Sequence, residues 1–215
     1  YWRQVIFMKK YKKYLIDMIT IFGTNALIYF LSQKIITNYH LMGSALDSKI
    51  PFIPSFFIIY TLWYPLVIFT FFVLYKKNRN LYNKTKLTTI ISLIILYIIF
   101  FAYPTMVNRP VLISFNTLGT FIAYVSFKAD KPVNCFPSGH CLLCFILIYT
   151  LLKDNKINPY LKITLICAFF LIIISTLLTK QHVILDVIGS LILSFTTCII
   201  IPKTKYFKKL LNSKN

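Results

Sequence analysis

Acidic side chains are almost missing from this sequence. It has no glutamate and five aspartates, and charged residues make up only 13% of its 215 positions. Soluble globular domains carry about 25% charged residues. Hydrophobic residues here reach 58%, and the mean hydropathy is +0.71. This composition excludes disordered, collagen-like and disulfide-stapled proteins, and it indicates an integral membrane protein.

Cysteine is sparse and is not arranged for metal or redox chemistry. Cys141 and Cys144 form a C-x-x-C pair, but the sequence has neither a second pair for a zinc site nor a thioredoxin-like βαβ pattern. The number of cysteines is odd, and most of them lie in apolar runs. We therefore interpret them as small core residues. The five are Cys135, Cys141, Cys144, Cys167 and Cys198.

Apolar runs occur at about 14–33, 51–75, 88–107, 139–153, 160–179 and 183–202. A segment in lipid must satisfy its own backbone hydrogen bonds, so each run is expected to be helical. The sequence thus predicts an all-α polytopic protein, a six-transmembrane-helix bundle formed by a single membrane-embedded domain over residues 1–215. The first run is followed by no signal-peptide cleavage site, which favours an uncleaved span. The stretch 111–127 is interrupted by polar residues and is predicted to be interfacial or re-entrant.

Basic residues are distributed unevenly between the predicted loops. Of 24 Lys and Arg residues, 18 lie in the N-terminal arm, in loops 76–86 and 153–162, and in the C-terminal tail. The positive-inside rule therefore predicts that both termini are cytoplasmic. This reading explains most of the +19 formal charge as a topology signal, with attraction to anionic lipid and no nucleic-acid partner. Asp17 is predicted to be interfacial, near the inner edge of the first span.

This topology brings three polar motifs to one outer face. The motifs are Asn108-Arg109-Pro110, then Cys135 to His140, then Thr179 to Asp186. Spans four and six would run inward, so their helix N-termini, which attract anions, would face outward beside these motifs. The motif-bearing core covers about residues 88–202.

The residue types in these motifs suit phosphoryl transfer. His182 and Asp186 are four positions apart, so on a helix they share a face, and the carboxylate can fix the imidazole tautomer and leave the other ring nitrogen as nucleophile. His140, on a neighbouring helix end, can serve as general acid.

Phosphate oxygens would be bound by other residues of the same motifs. Arg109 offers a bidentate fork, and Ser138 and the Gly139 N–H group are neutral donors. Positioning and charge stabilisation are the chief requirements of phosphoryl transfer.

The motifs resemble those of the type 2 phosphatidic acid phosphatase superfamily, which are Lys-x6-Arg-Pro, Pro-Ser-Gly-His and Ser-Arg-x5-His-x3-Asp. The matching positions are Arg109-Pro110, Pro137 to His140, and Ser175 with His182 and Asp186. The resemblance implies that His182 is a phosphohistidine-forming nucleophile oriented by Asp186 and that His140 is the acid. It also implies that Arg109, Ser138 and Gly139 bind the phosphate.

Two positions depart from that pattern. Ala102 stands where the first motif has Lys, and Thr176 where the third has Arg. We predict that Lys180 replaces a missing cation, lying just before the sixth helix because residues two apart do not face each other on a helix. The Lys-Gln-His-x3-Asp form, with Asp130-x3-Asn134 upstream, is similar to the superfamily's inositol-phosphotransferase-like branch, which includes enzymes that move a phospho-headgroup between lipids.

We therefore expect a multi-pass cell-membrane enzyme that hydrolyses a lipid phosphate or a polyprenyl diphosphate at the extracytoplasmic face, without cofactor or metal. Transfer of a lipid phospho-headgroup is the alternative. A metal triad of His140, His182 and Asp186 is less favoured, because a two-metal phosphatase would need more carboxylates than the three predicted on this face. A small transporter is also less favoured, because the polar cluster lies at one face and the sequence has no internal repeat.

Overall fold

A computed structural model of the chain describes residues 2–112, 115–205 and 207, with side chains from Tyr11 onward. It is mostly helical. The helices are α1 (Trp2–Ile35), α2 (Ala45–Lys49), α3 (Phe56–Thr61), α4 (Trp63–Lys77), α5 (Arg79–Ala102), α6 (Leu118–Ala129), α7 (Gly139–Lys153), α8 (Pro159–Leu178) and α9 (Ile184–Ile200). A 3₁₀ turn over Ile201–Lys203 follows α9. Two short strands, β1 (His40–Met42) and β2 (Thr105–Val107), pair in parallel with His40 opposite Thr105.

Five helical segments of the described chain are long and apolar enough to cross a membrane. They are Tyr11–Ile35, Phe56–Lys77, Arg79–Ala102, Pro159–Leu178 and Ile184–Lys203. They correspond to five of the six predicted spans, so the helical membrane architecture is supported. The basic side chains of Arg3, Lys9, Lys10, Lys208, Lys209 and Lys214 lie outside the described residues.

The fourth predicted span corresponds to α7, which is shorter than a bilayer-crossing helix. Its 15 residues extend about 22 Å, against about 30 Å of hydrocarbon. The helix is apolar on every side because it lies inside the bundle, where Leu142, Ile146 and Leu151 are fully buried. Helices α4, α5, α8 and α9 pack around it. The described structure therefore supports five spans by length and composition, with α7 as a central core helix.

The core prediction for cysteine is confirmed at four positions and wrong at one. Cys135, Cys141, Cys144 and Cys198 are buried, and all of the described cysteines are free thiols. Cys167 is exposed on α8, because α8 turns this side away from the bundle.

The interrupted stretch 111–127 contains helix α6, which is too short to span a membrane, as predicted. Residues 113 and 114 of this stretch lie outside the described residues. Thr117 and Thr120 form a capping box that starts the helix. Gly119 allows close packing, because a Cβ there would lie 2.7 Å from the Cα of Ser55.

Polar contacts tie the helices together at the two ends of the bundle. At the end away from the predicted motifs, Asn78 donates to Asp154 (2.8 Å) and so connects the α4–α5 and α7–α8 turns. Nearby, Asp17 forms an ion pair with Lys86 at 2.7 Å and accepts a hydrogen bond from Tyr82. Asp17 is thus paired between α1 and α5, and its interfacial position stays a prediction.

Candidate active site

The loop before α7 is fixed by backbone contacts to β2. The hydroxyl oxygen of Thr105 accepts from the backbone N–H groups of Cys135 (3.1 Å) and Phe136 (2.8 Å). Asn134, with a φ of 56°, donates its N–H to the Thr105 carbonyl. The Phe136 ring then packs on Gly189 of α9, where a Cβ would lie 2.6 Å from a ring carbon. This packing holds the start of α7 against α9.

His182 lies in the tight turn between α8 and α9, and Asp186 lies in the first turn of α9. The backbone N–H of His182 donates to the Thr176 carbonyl at 3.1 Å. Its Nδ1 is 3.2 Å from Oδ2 of Asp186, which also accepts from the Val183 N–H at 3.0 Å. His182 precedes the helix, so the predicted contact is made by a capping turn and not across a helix face. The pairing orients the imidazole of His182, which lines the cavity described below.

His140 approaches His182 from the start of α7. The two ring centroids are 6.0 Å apart. The His140 ring lies against Tyr60 and Trp63, with centroids 4.8 and 4.5 Å away. The Trp63 indole N–H donates to the His140 carbonyl at 3.2 Å. These contacts hold the two imidazoles side by side at the wall of one cavity.

Arg109 joins two loops of the site. Its guanidinium donates to the Asp130 carbonyl at 2.6 Å, to the Asp130 carboxylate at 3.3 Å and to the side-chain oxygen of Gln181. Tyr29 of α1 donates to the other carboxylate oxygen of Asp130 at 2.5 Å. The Arg109 Nε is buried and has no hydrogen-bond partner in the described part of the chain. Arg109 is therefore positioned by Asp130, and its Nε–H and one Nη1–H remain without a described partner.

Ser138 and Gly139 lie at the N-terminus of α7. The Ser138 hydroxyl caps that helix by accepting from the Cys141 N–H at 3.2 Å, and the Ser138 N–H donates to the Asp186 carbonyl at 3.2 Å. Ser190 of α9 donates to the Ser138 carbonyl at 2.8 Å. Ser138 thus joins the two helix ends, while Gly139 borders the cavity beside His140. Phosphate binding by either residue stays a prediction.

Lys180 lies just before α9, as predicted, with a φ of 54°. Its ammonium donates to the carbonyls of Asp47 at 2.7 Å and Ile50 at 2.5 Å. These two bonds engage the ammonium with the segment around α2, so the geometry argues against the predicted role of Lys180 as a phosphate ligand. At the other departures from the motifs, Ala102 is exposed and Thr176 is fully buried.

A cavity of about 720 Å³ opens beside the two histidines. Its α1 wall runs from Met18 to Phe30, which is about 18 Å of helix. Most of the lining is apolar, with contributions from α3, α4, α5 and α6. The polar lining includes Tyr29, Arg109, Asp130, Asn134 and Gln181 together with His140 and His182. The cavity therefore combines a polar end with a long hydrophobic wall.

Other reactive groups are less suited to act in this cavity. Cys135 lines it, but burial raises the pKa of the thiol well above its usual value, so the sulfur is protonated and a poor nucleophile. In the described chain, no group of three or more His, Cys, Asp or Glu side chains is arranged to hold a metal ion. The two imidazoles remain the strongest nucleophile and acid candidates.

Several cavity residues escaped the sequence reasoning. Tyr29 lies in an apolar span, 101 positions from its partner Asp130. A separation of this length gives no indication in the sequence that the two residues are in contact. Tyr60 and Trp63, which pack on His140, look like ordinary membrane aromatics. Gln181 was detectable, because it is a polar residue next to His182 at a predicted helix start. Asp130 was noticed only through the motif resemblance.

Together these elements form a helical membrane protein with a two-histidine site at one end of the bundle. A comparison with protein families matches residues 109–209 to the PAP2 superfamily. The match confirms the resemblance to type 2 phosphatidic acid phosphatases over the segment that carries Arg109, His140, His182 and Asp186. Its members are phosphatases or phosphotransferases. No curated protein matches the chain in a sequence comparison.

Proposed function

We propose that this protein cleaves a phosphoester of a membrane lipid through a phosphohistidine formed on His182. The observation that carries the proposal is the pair of imidazoles, 6.0 Å apart at the wall of an apolar cavity, one of them oriented by a carboxylate. The PAP2 superfamily match supports the same reaction class.

In the first step, Asp186 accepts the Nδ1–H of His182, and Nε2 attacks phosphorus. The bond between phosphorus and the lipid oxygen breaks, and His140 gives its proton to that oxygen. In the second step, a water or an alcohol loses a proton to His140 as it attacks the phosphohistidine. The bond from phosphorus to Nε2 breaks, and both imidazoles return to their starting states. This sequence needs no metal or cofactor.

The transferred group would be bound by Arg109 and by the start of α7. The free Nε–H of Arg109 can donate to a phosphoryl oxygen. The backbone N–H of Gly139 belongs to a helix N-terminus, whose partial positive charge favours an anion.

The cavity favours a lipid as the substrate. Its volume is within the usual range of about 300–1,000 Å³ for ligand sites, and its hydrophobic wall along α1 and α5 suits an acyl or prenyl chain. Hydrolysis of a lipid phosphate or polyprenyl diphosphate remains the first proposal. Transfer of the phospho-headgroup to an alcohol is the second proposal. It is favoured because Asp130 partly neutralises Arg109, and a phospho-headgroup diester carries less negative charge than a phosphomonoester.

We also propose six spans, with both termini cytoplasmic and the site extracytoplasmic. α7 would be the fourth span along the chain and would complete the set of six, enclosed by neighbouring helices. The positive-inside rule supports this orientation, because the basic turns 76–86 and 153–162 lie at the end of α7 opposite to His140.

The proposal is tested by incubating the purified full chain, in neutral lipid vesicles, with phospholipids and polyprenyl phosphates. Each substrate is assayed with and without glycerol as an alcohol acceptor and with and without EDTA. We expect His182-dependent cleavage that survives chelation, with glycerol phosphate formed if the enzyme transfers. Absence of cleavage, or equal cleavage by the His182→Ala variant, would contradict the proposal.

A further inference from the structure

We propose that Asp130 makes this site select a phosphate group that carries one negative charge. The preferred substrate would be a lipid phosphodiester and not a dianionic phosphomonoester. This inference rests on the proposed phosphohistidine chemistry, and it favours the second substrate class proposed above, a lipid phospho-headgroup, over a lipid phosphate.

The inference starts from the charges around the cavity. Among the described residues, Arg109 is the one Lys or Arg side chain that lines the cavity. Asp130 forms an ion pair with it at 3.3 Å and lines the same cavity. Asp186, fully buried behind His182, adds a second carboxylate. Two carboxylates thus face one permanent cation, with both histidines available as the reacting groups.

Nearby lysines do not restore the balance. The ammonium of Lys180 is bound to the carbonyls of Asp47 and Ile50. Lys128 and Lys131 flank Asp130 but are exposed and outside the cavity lining. In the reactive state, with His140 protonated, a phosphate group at the histidines would therefore meet two cations and two carboxylates, and so no net positive charge.

The hydrogen bonds of Arg109 lead to the same conclusion. Its two terminal nitrogens already donate to Asp130 and Gln181. Two of its five N–H groups remain, one on the buried Nε, which has no partner within the described chain, and one on Nη1. Both bidentate edges of a guanidinium use Nη2, whose two N–H groups donate to Asp130 and Gln181, so the fork that would usually hold a dianion is already occupied. A second negative charge would also be repelled by both carboxylates across a cavity of low dielectric.

The cavity has a polar group for the second ester substituent of a diester. Asn134 lines it, is 3% exposed, and has a buried Oδ1 with no hydrogen-bond partner among the described residues. Its amide nitrogen is held by Ser32 at 2.7 Å. The free oxygen can accept from a hydroxyl of the headgroup, beside Asp130 and Tyr29.

The experiment compares two probes that differ by one methyl group and one charge: dioleoyl phosphatidate and its phosphomethyl diester. Release of diacylglycerol reports the same bond cleavage in both, and vesicles of neutral lipid carry each probe. For the unmodified protein at pH 8, we expect kcat/KM to be about tenfold higher for the diester. A preference for the dianion would overturn the inference.

Asp130→Asn removes the charge and keeps both the shape and the backbone carbonyl that Arg109 contacts. We expect this variant to shift the monoester-to-diester ratio of kcat/KM about tenfold toward the monoester. The matched control is Asp154→Asn, the same change at the opposite end of α7, which should leave the ratio unaltered. An unchanged ratio in Asp130→Asn, or an equal shift in the control, would overturn the inference.

A pH arm uses the unmodified protein and so does not depend on the folding of any variant. The second ionisation of the monoester has a pKa of about 6, so acidification converts that probe to a monoanion. The charged groups facing the site are His140, His182, Asp130, Asp186 and Arg109. The reaction needs the same histidine protonation states for both probes, so that requirement cancels in the ratio. We expect the monoester-to-diester ratio to rise several-fold from pH 8 to pH 5.5, and a flat ratio would contradict us.

These outcomes separate the inference from the function on which it rests. If neither probe yields diacylglycerol, or if His182→Ala yields as much as the unmodified protein, the proposed function fails. If cleavage depends on His182 but the dianion is preferred, the charge selection by Asp130 fails and the proposed function stands.

Discussion

At the residue scale, Asp186 is fully buried and holds His182 through one of its two carboxylate oxygens. One of its carboxylate oxygens contacts Nδ1 of His182 and the Val183 N–H. The other is buried and lacks a hydrogen-bond partner among the described residues. A carboxylate can only accept hydrogen bonds, so it selects the His182 tautomer with a proton on Nδ1 and a lone pair on Nε2.

Asp186→Asn should therefore impair catalysis far more than folding. The amide can present its NH2 group to Nδ1, which favours the tautomer with the proton on Nε2, where the nucleophilic lone pair is needed. We expect kcat to fall by about three to four orders of magnitude with little change in the melting temperature. Measurement of both on one preparation tests this, and a loss of less than tenfold would argue against the orienting role.

His140 and His182 should respond differently to substitution because their roles differ. His140→Ala should lose about 10²–10⁴-fold in rate on a natural lipid ester. In the first step, measured as the burst of leaving group, much of that loss should disappear with a p-nitrophenyl phosphoester, whose leaving group needs no acid. His182→Ala should be inactive on both substrates. Equal losses of His140→Ala in this first step on the two substrates would exclude it as the general acid.

The pH profile provides an independent check of the same pair. The nucleophile must be neutral and the acid protonated, so kcat should rise as His182 loses its proton and fall as His140 loses its own. We expect a bell-shaped profile for the natural ester and the loss of the alkaline limb in His140→Ala. A flat profile from pH 5 to 9 would contradict the assignment.

At the scale of single residues, the sequence was informative where spacing is local. His182 and Asp186 are four positions apart, so their contact could be predicted. The contacts of Lys180 could not be predicted, because its two carbonyl acceptors lie about 130 positions earlier in the chain. The Tyr29–Asp130 contact could not be predicted for the same reason, since only the tertiary fold brings α1 to this loop.

At the scale of helices, the site depends on the crossing of α7 and α9 at their N-termini. Ser190 donates to the carbonyls of both Ser138 and Asp186, with distances of 2.8 and 2.7 Å. The absence of a side chain at Gly189 lets the Phe136 ring lie directly on α9. This contact sets the distance between the two histidine-bearing segments.

Gly189→Ala should disturb that crossing. The new Cβ would lie 2.6 Å from Phe136, so the ring and the loop before α7 must shift, at a cost of about 1–3 kcal/mol in the free energy of unfolding. We expect activity to fall at least tenfold, and the added change Phe136→Leu to restore part of it. Gly23→Ala is the matched control, because a Cβ there meets nothing within 4 Å. Full activity of Gly189→Ala would show that the crossing tolerates movement.

The helices themselves were largely predictable, because long apolar runs dictate helical spans in lipid. Helix α7 differs because its neighbours, and not lipid, surround it, so 15 residues suffice for a core element. Hydropathy alone does not distinguish these two environments. The interrupted stretch 111–127 was correctly not counted as a span, because its capping threonines start a helix that is too short to cross a membrane.

At the scale of the whole molecule, opposite ends of the bundle carry different polar groups. The end with the histidines gathers the Arg109–Asp130 pair, and the other end contains the Asp17–Lys86 pair and the Asn78–Asp154 contact. The asymmetry in loop charge predicted that polar chemistry would concentrate at one face. It could not predict the pairing of Asp17, because a buried ion pair between α1 and α5 leaves no periodic signal.

The first helix has a consequence for how lipid preference can change. α1 forms one wall of the cavity, yet most of its surface is exposed, and it lies outside the segment 109–209 that carries the reacting groups. Under the proposed function, the fit of the hydrocarbon tail and the bond-breaking chemistry would therefore depend on separate stretches of polypeptide. Substitutions from Met18 to Ala26, which precede Tyr29 and its contact with Asp130, would then change which hydrocarbon tail fits without altering the residues proposed to bind and transfer the phosphate.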